Sequence, residues 1–474
     1  MNNAAISSLG RITCTVAAGC LLASAWVGCE TTPKTEARHA RDKQPVGRQL
    51  DVQSQSAALG EAIAPAMSDE VFARRIDRLA AQRDELQLRR WLATYPEMAE
   101  RLVVSAGAGD KPAAAIAAAW LDQRAEPGQG GWSMLIRDRQ THPQRYATYD
   151  QQERAIWQAL RQGRFDAVAQ ASLVPPADAP SPWLQVEALR LKATASLAAG
   201  QPEAAAQAFL QAAQYAEGWD EHAVRKLQLF AALALEAKGD NAAAQVQRNR
   251  ALRELDLNHV TDPMVLRLAI HTDENHGRVH GGASLSTPGD TPSQRLLHAR
   301  LGDLLLQRGQ PQAALLAWRE AEAAAGASPS NDQLRLMQAK ALIALRQNEV
   351  AMAMLVGLAM DTQVRSEALT MLGLLHIQRG QTQTGMAMLY EAVEDTDAGT
   401  HPDIHADAAL ALLATGNADK GLELLWAARE GFRQQNDWLA VRTTLENELT
   451  FSRSQGEVAR SNELMQQLSR LQSP

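Results

Sequence analysis

The feature that most limits what this 474-residue chain can become is a pair of stretches that superimpose without a gap. Leu301-Gly302 leads through Leu305 to Gln307-Arg308-Gly309-Gln310, then Ala314, Trp318 and Ala321. Leu372-Gly373 leads through His376 to Gln378-Arg379-Gly380-Gln381, then Gly385, Leu389 and Ala392. The spacing predicts two antiparallel helices joined by a tight turn. Small residues at Gly302, Ala314 and Ala321 let the helices approach, and Leu301, Leu305 and Trp318 fill the space between them. Ala314, Ala317, Trp318 and Ala321 recur at i, i+3, i+4 and i+7 and so share one helix face. Gly309 and Gly380 stand where the first helix of each pair must end, because a left-handed residue there costs glycine little. Thr291-Pro292-Ser293-Gln294 has the form of a capping box with proline at the first helical position, and Ser330-Asn331-Asp332-Gln333 has that form without the proline.

This Leu-Gly opening, with small residues closing the second helix, resembles the tetratricopeptide (TPR) family. Weaker copies flank the two strong ones. Gly163, Gly200, Gly239, Gly416 and Gly456 each occupy a terminator position, with Ala205, Phe209 and Ala212 the best continuation. Asn348 is expected to replace the glycine between the strong copies, since asparagine tolerates the same backbone. The resemblance covers about residues 150–256 and 292–474. It implies an all-α chain, an α-solenoid of antiparallel helix pairs forming a TPR-like superhelix. A single hairpin cannot bury its apolar stripe, so such repeats must stack.

Ahead of the repeats the chain changes character. Arg11 precedes an apolar stretch from Ile12 to Val27, short for a spanning helix, which ends in Trp26-Val27-Gly28-Cys29. Val27, Gly28 and Cys29 resemble a bacterial lipobox, although Trp26 departs from the aliphatic residue usual there. Residues 1–29 are therefore expected to be a lipoprotein-type signal peptide, with Cys29 the lipidated residue and its acyl chains the membrane anchor. Ala17-Ala18-Gly19-Cys20 is a poorer match, and an ordinary secretory signal or uncleaved anchor is the bland alternative. Residues 30–66 lack helical periodicity and read as a disordered tether. Residues 67–145 read as an N-terminal helical region, either a cap or degenerate repeats. Ser68 is placed to cap a helix carrying Val71, Phe72, Ile76 and Leu79, and Tyr95-Pro96 breaks the next. TPR-like repeats are expected over 146–256 and 292–474, with a polar loop over 257–291 between them.

Composition narrows function mainly by exclusion. The net charge is −7, and removing the leader takes away only Arg11 among charged residues, so the acidic excess grows. Neither nucleic acid nor an anionic lipid surface suits that balance. Aromatics are 4% of the chain, which argues against stacking platforms for sugars or single strands. All three cysteines, Cys14, Cys20 and Cys29, lie in the leader, leaving no thiolate for a metal or disulfide. His271, His276 and His280 match no zinc spacing, and Asp395, Asp397 and Asp403 lack the glutamate that closes a calcium loop, so no metal or cofactor is expected. His376 reads as a packed residue at a position where the family usually has a ring. Met352, Met354, Met360, Met371, Met386 and Met388 read as adaptable core, with a soft partner surface as the sharper alternative. Trp318 and Trp426 are expected on inner faces of second helices.

No phosphate-binding glycine loop, HExxH, GxSxG or other catalytic signature is present, so no catalytic residue is assigned and the chain is not read as an enzyme. By resemblance, it is an exported protein on the periplasmic side of a bacterial envelope membrane, lipid-anchored, that binds a peptide or envelope protein on its concave face. A helical envelope hydrolase or glycan-processing enzyme is the alternative. Buried paired carboxylates in a cleft would favour it.

Overall fold

A computed structural model of the chain describes residues 67–106, 112–125, 130–253, 255–257, 260–279, 294–325, 331–360 and 363–472. The expected leader and tether, Cys29 included, lie outside the described residues, as do Thr291-Pro292-Ser293, Ser330, His280 and residues 281–290. Among the described residues the chain forms 22 helices and no strand. It divides into two compact units, one of residues 67–82 and 88–300, the other of 83–87 and 301–472.

The first unit carries α1 (Asp69–Ala81), most of α2 (Glu85–Thr94), α3 (Pro96–Val104), α4 (Pro112–Arg124), α5 (Trp132–Thr141), α6 (Pro143–Arg161) and the short α7 (Phe165–Gln170). It continues with α8 (Trp183–Ala198), α9 (Pro202–Ala216), α10 (Glu221–Lys238), α11 (Asn241–Leu252) and α12 (Pro263–Val279). α13 (Gln294–Gln307) leads into the second unit, which holds α14 (Pro311–Ala325), α15 (Asp332–Ala344), α16 (Asn348–Leu358), α17 (Arg365–Gln378) and α18 (Thr382–Glu394). α19 (Pro402–Ala414), α20 (Ala418–Gln434), α21 (Trp438–Ser454) and α22 (Val458–Gln472) complete it.

Local chemistry explains where these helices start and stop. The Ser68 hydroxyl accepts a hydrogen bond from the Val71 amide, and Asp220, Asp240 and Asp437 carboxylates cap α10, α11 and α21 in the same way. Pro96, Pro143, Pro202 and Pro402 open helices, where a missing N–H costs nothing. Gly163, Gly200, Gly239, Gly309, Gly380, Gly416 and Gly456 all have φ between 70° and 91°. In the two strong copies the turns match bond for bond. Gly309 and Gln310 amides donate to Leu306 and Leu305 carbonyls, and Gly380 and Gln381 amides donate to Ile377 and His376 carbonyls, each at 2.9 Å.

The same pair of bonds recurs between α15 and α16, but Arg346, not Asn348, takes the glycine's place, with φ 60°. Asn348 is instead the first residue of α16. The register of the turn, seven residues past the small Ala339, fixes which residue must be left-handed, and arginine bears a strain of about 1–2 kcal/mol there. The expected capping box at Ser330 is also displaced. Asn331 is the N-cap of α15, and its side chain makes no capping bond.

Most of the helices pack chiefly on a neighbour in sequence, with a second set of contacts to the helix after next, as between α10 and α12, α17 and α19, and α19 and α21. That is the arrangement of an α-solenoid of helix pairs. At the start of the first unit α1 packs on both α3 and α4, giving a small bundle rather than a row of hairpins. The 257–291 interval, expected as a loop, is in part α12. Met264, Val265, Leu266, Leu268, Ala269 and Ile270 are buried, and the helix rests on α10 and α11. The Asp262 carboxylate accepts from the Met264 amide to start it. The polar His-Asp-Glu run that suggested a loop is the helix's continuation.

The repeat-defining residues meet as pairs. Trp318 is fully buried, and a Cβ added to Gly302 would fall 2.4 Å from its indole nitrogen. In the next strong copy two backbones meet directly: a Cβ on Gly385 would lie 2.4 Å from the Gly373 carbonyl oxygen, and one on Gly373 would lie 2.9 Å from the Leu389 side chain. Leu301, Ala314, Ala321, Leu372, Leu389 and Ala392 are buried around these approaches. Gly302→Ala is therefore expected to lower stability by about 1–3 kcal/mol through overpacking. Gly357→Ala, in a helix with nothing within 4 Å of the new carbon, is expected to be neutral or stabilising by up to about 1 kcal/mol. Urea unfolding of the two variants followed by circular dichroism distinguishes them.

Candidate functional site

A partly enclosed site lies in the first unit and is built from a glycine pair outward. Asp122, on α4, receives the Trp132 and Ser133 amides at 2.8 and 2.9 Å and so fixes the start of α5. Gly131 precedes it with φ 74°, and a side chain there would strike the Trp219 ring at 2.5 Å. The Gly130 amide donates to the Trp219 carbonyl at 2.8 Å, and the Trp183 indole N–H donates to the Gly130 carbonyl at 2.6 Å. The result is a parallel stack of Trp132 on Trp183, with centroids 3.9 Å apart and 7° between planes. These two rings, Trp157, Phe230, Met98 and Met264 wall a cavity of about 120 Å³.

Charged side chains close the cavity, and they are matched. Arg190 forks onto both Glu187 oxygens at 2.7 Å. Lys226 reaches Asp262 at 2.8 Å and Glu100 at 3.4 Å, and Arg124 bridges Glu100 and Asp220 at 3.1 and 3.2 Å. Burial alone would lower the Lys226 ammonium, but the Asp262 and Glu100 carboxylates hold it above its ordinary value. Arg101 pairs with Asp69 at 3.0 Å and lies over Trp157, its guanidinium 4.3 Å from the ring centroid, while Arg190 approaches the same ring at 5.8 Å.

Behind this wall stands Glu153 of α6, buried beside Glu187. Burial, and then the Glu187 charge, push its carboxyl up to about 8, against the opposing pull of Arg139. Glu153 is thus protonated at neutral pH in the folded chain.

The second unit offers an open groove of about 980 Å³ along α20, α21 and α22. Trp426, expected in the core, is 49% exposed at this groove. The place that Trp318 takes relative to Gly309 belongs, after Gly416, to Leu425, which is buried in one cluster with the small Ala409, and Trp426 stands one residue beyond it. Arg460 lies 5.7 Å from its ring centroid, and Glu448, fully buried, takes ion pairs from both Arg429 and Arg460. Burial would raise the Glu448 carboxyl, but the bonds from those two arginines hold it below the usual carboxylate range. Val458 lies beside this network, 72% exposed.

The other residues singled out from sequence have structural surroundings. The Asp397 carboxylate accepts from the Gly399 amide at 2.8 Å, and Asp395 pairs with Arg365, as in an inter-helix turn. His376 is half-buried with its Nδ1 against the Gln381 side chain. Met352 is buried, Met354, Met371 and Met388 pack on the same core cluster, Met386 packs on the next, and Met360 is exposed. His271 stands 3.8 Å from Glu236, while the side chain of His276 lies outside the described residues, as does His280. Among the described residues no cluster of His, Cys, Asp or Glu could hold a metal ion, and no helix is long and apolar enough to cross a membrane.

Sequence reading missed the cavity because its residues come from α3, α5, α6, α8, α10 and α12 and carry no shared motif. One signal was available. Six of the ten tryptophans fall between residues 91 and 219, a concentration that the low overall aromatic content conceals.

Glu153 gives a pH dependence with a definite sign. Below about 4.5 it is protonated in folded and unfolded chains alike. Between about 4.5 and 8 the unfolded chain releases a proton that the folded chain keeps, so stability falls as pH rises; above 8 this contribution is constant. Urea unfolding at pH 5, 6, 7 and 8 is expected to show Glu153→Gln becoming progressively more stable than the parent, by up to about 1.4 kcal/mol per pH unit. A difference independent of pH would mean that Glu153 is already ionised in the fold.

Compared with protein-family models the chain matches none, and none of the curated proteins matches it, so its residues and fold are the ground on which its function is read.

Proposed function

We propose that the chain is an envelope-anchored, TPR-like scaffold that binds another protein, held to a membrane through acyl chains on Cys29. The observation that carries the reading is the groove at Trp426. A half-exposed tryptophan under an arginine, beside an exposed valine, supplies the large rigid anchor and flanking charge on which protein interfaces concentrate their energy. The Arg429–Glu448–Arg460 network supports that anchor from beneath, so the ring is held in place before a partner arrives. The resemblance of the repeats to the TPR family adds the expectation of peptide or protein binding on the concave faces of first helices.

The alternative, a helical hydrolase, has one favourable observation: burial raises the Glu153 carboxyl while the neighbouring Glu187 takes the Arg190 fork. Both carboxyls already have protein partners, the Trp157 indole for Glu153 and the Arg190 fork for Glu187, which favours a structural use.

Two experiments test the scaffold. A photo-crosslinking residue at Trp426 or Val458 is expected to give discrete adducts in cells, whereas one at Val246, exposed in the first unit, is expected to give none of the same species. Indiscriminate or absent adducts count against the groove. Cys29→Ala is expected to abolish labelling by a radioactive fatty acid and to release the chain from the membrane fraction; a chain that stays membrane-bound and labelled removes the anchor.

A further inference from the structure

The first helices of the second unit carry charges that neither the groove nor the anchor uses. Ala339, Gly373 and Ala409 each stand seven residues ahead of a left-handed turn residue, at Arg346, Gly380 and Gly416, and so set a common register for α15, α17 and α19. In that register Asp407 of α19 takes the place that Met371 has on α17, and Lys340 of α15 takes the place of Leu374. Matching positions on successive first helices share one face. α17 runs between the other two. Met371 packs on a cluster that includes Leu336 and Ala339 of α15, and Leu374 on one that includes Ala408 and Ala409 of α19. Asp407, with Asp403 one turn before it, therefore stands on one side of a half-buried apolar strip, and Lys340 on the other.

These three charges are unanswered. Asp403, Asp407 and Lys340 are half-buried, and none makes a hydrogen bond or ion pair among the described residues. Burial, and then the Asp403 charge, push the Asp407 carboxyl up to about 7, against the pull of Lys340. Asp407 and Lys340 thus act on each other without touching. They stand farther apart than an ion pair, yet inside the roughly 10 Å beyond which salt water screens charges from one another. Holding such groups partly desolvated without a counter-charge is costly.

The pattern divides ligand classes. A simple cation satisfies Asp407 and is repelled by Lys340, and a simple anion meets the reverse. A protein surface offers both charges on separate side chains, each of which must be ordered. A free amino acid carries them on a single carbon, already oriented. We propose that this face binds an α-amino acid with an apolar side chain: its ammonium on Asp407 and Asp403, its carboxylate on Lys340, and its side chain on the strip of Met371 and Leu374. The site shares no residue with the Trp426 groove and does not depend on the lipid anchor, so it stands or falls apart from the scaffold reading.

The probes are L-leucine, 3-methylbutylamine, which is leucine without its carboxylate, and 4-methylpentanoate, which is leucine without its ammonium. Calorimetric titration of the purified full-length chain at pH 8, where Asp407 is ionised, is expected to show saturable binding of leucine, with each analogue about tenfold weaker or more. Lys340→Met is expected to abolish the preference for leucine over 3-methylbutylamine and to keep that over 4-methylpentanoate. Asp403→Asn combined with Asp407→Asn is expected to do the opposite. Trp426→Ala, in the groove, is expected to leave all three affinities unchanged. Where a variant of the strip does not fold, the parent decides: no saturable binding of leucine, or either analogue binding as tightly as leucine, overturns the proposal. So does a folded Lys340→Met chain that still prefers leucine to the amine.

Discussion

Two short helices can hide their apolar stripes only by coming close, and here closeness is set by a few atoms. Trp318 occupies the volume that Gly302 leaves vacant, and Gly385 brings its backbone against that of Gly373. Every other relation in the second unit depends on these approaches. The separation of α13 from α14 and of α17 from α18 decides where the outward faces lie, and with them the positions available to charged residues. Because each helix relies on the next for its burial, the array propagates by nearest-neighbour contact rather than by one central core.

Polar chemistry sits where that packing leaves space that apolar residues do not fill. In the first unit the space is enclosed, and the chain lines it with indoles and closes it with matched ion pairs. In the second unit it is open, and a buried carboxylate holds two arginines beneath a tryptophan. The two sites use the same residue types with opposite emphasis. Arg101 and Arg190 lie over Trp157 and shield it, whereas the pairing of Arg460 with Glu448 leaves Trp426 half accessible. The Glu153 carboxyl belongs to the enclosed case. Desolvation and the Glu187 charge act on it in the same direction, and a proton is the least demanding way to remain buried.

The helix pairs were legible in the sequence because their determinants are local. A glycine seven residues beyond a small residue, a proline at a helix start and a serine three residues ahead of an amide all act within about two helical turns, and the structure places them accordingly. The misreadings have a common origin in context. Asn348 was the residue best suited to a left-handed turn, but hydrogen-bond register assigned that conformation to Arg346. The polar end of α12 read as a loop because its apolar beginning, Met264 to Ile270, is short and gains its burial from α10 and α11. Trp426 lies one residue past the core position of its helix, which the buried Leu425 fills, and so it lines the groove instead. The cavity could not be read at all, since it is assembled from six helices whose nearness is a property of the stack.

The stacking order also sets how far damage spreads. A helix that frays at the end of such an array takes with it only what leans on it. The clasp on Glu448 draws one of its two arginines, Arg460, from α22, so opening of that helix would unbalance a buried charge and free the tryptophan ring above it. The indole stack on Gly130 shares no residue with that clasp and would be unaffected. Opening of one helix can thus silence one surface while sparing the other, a form of graceful failure that a single-cored globule does not possess.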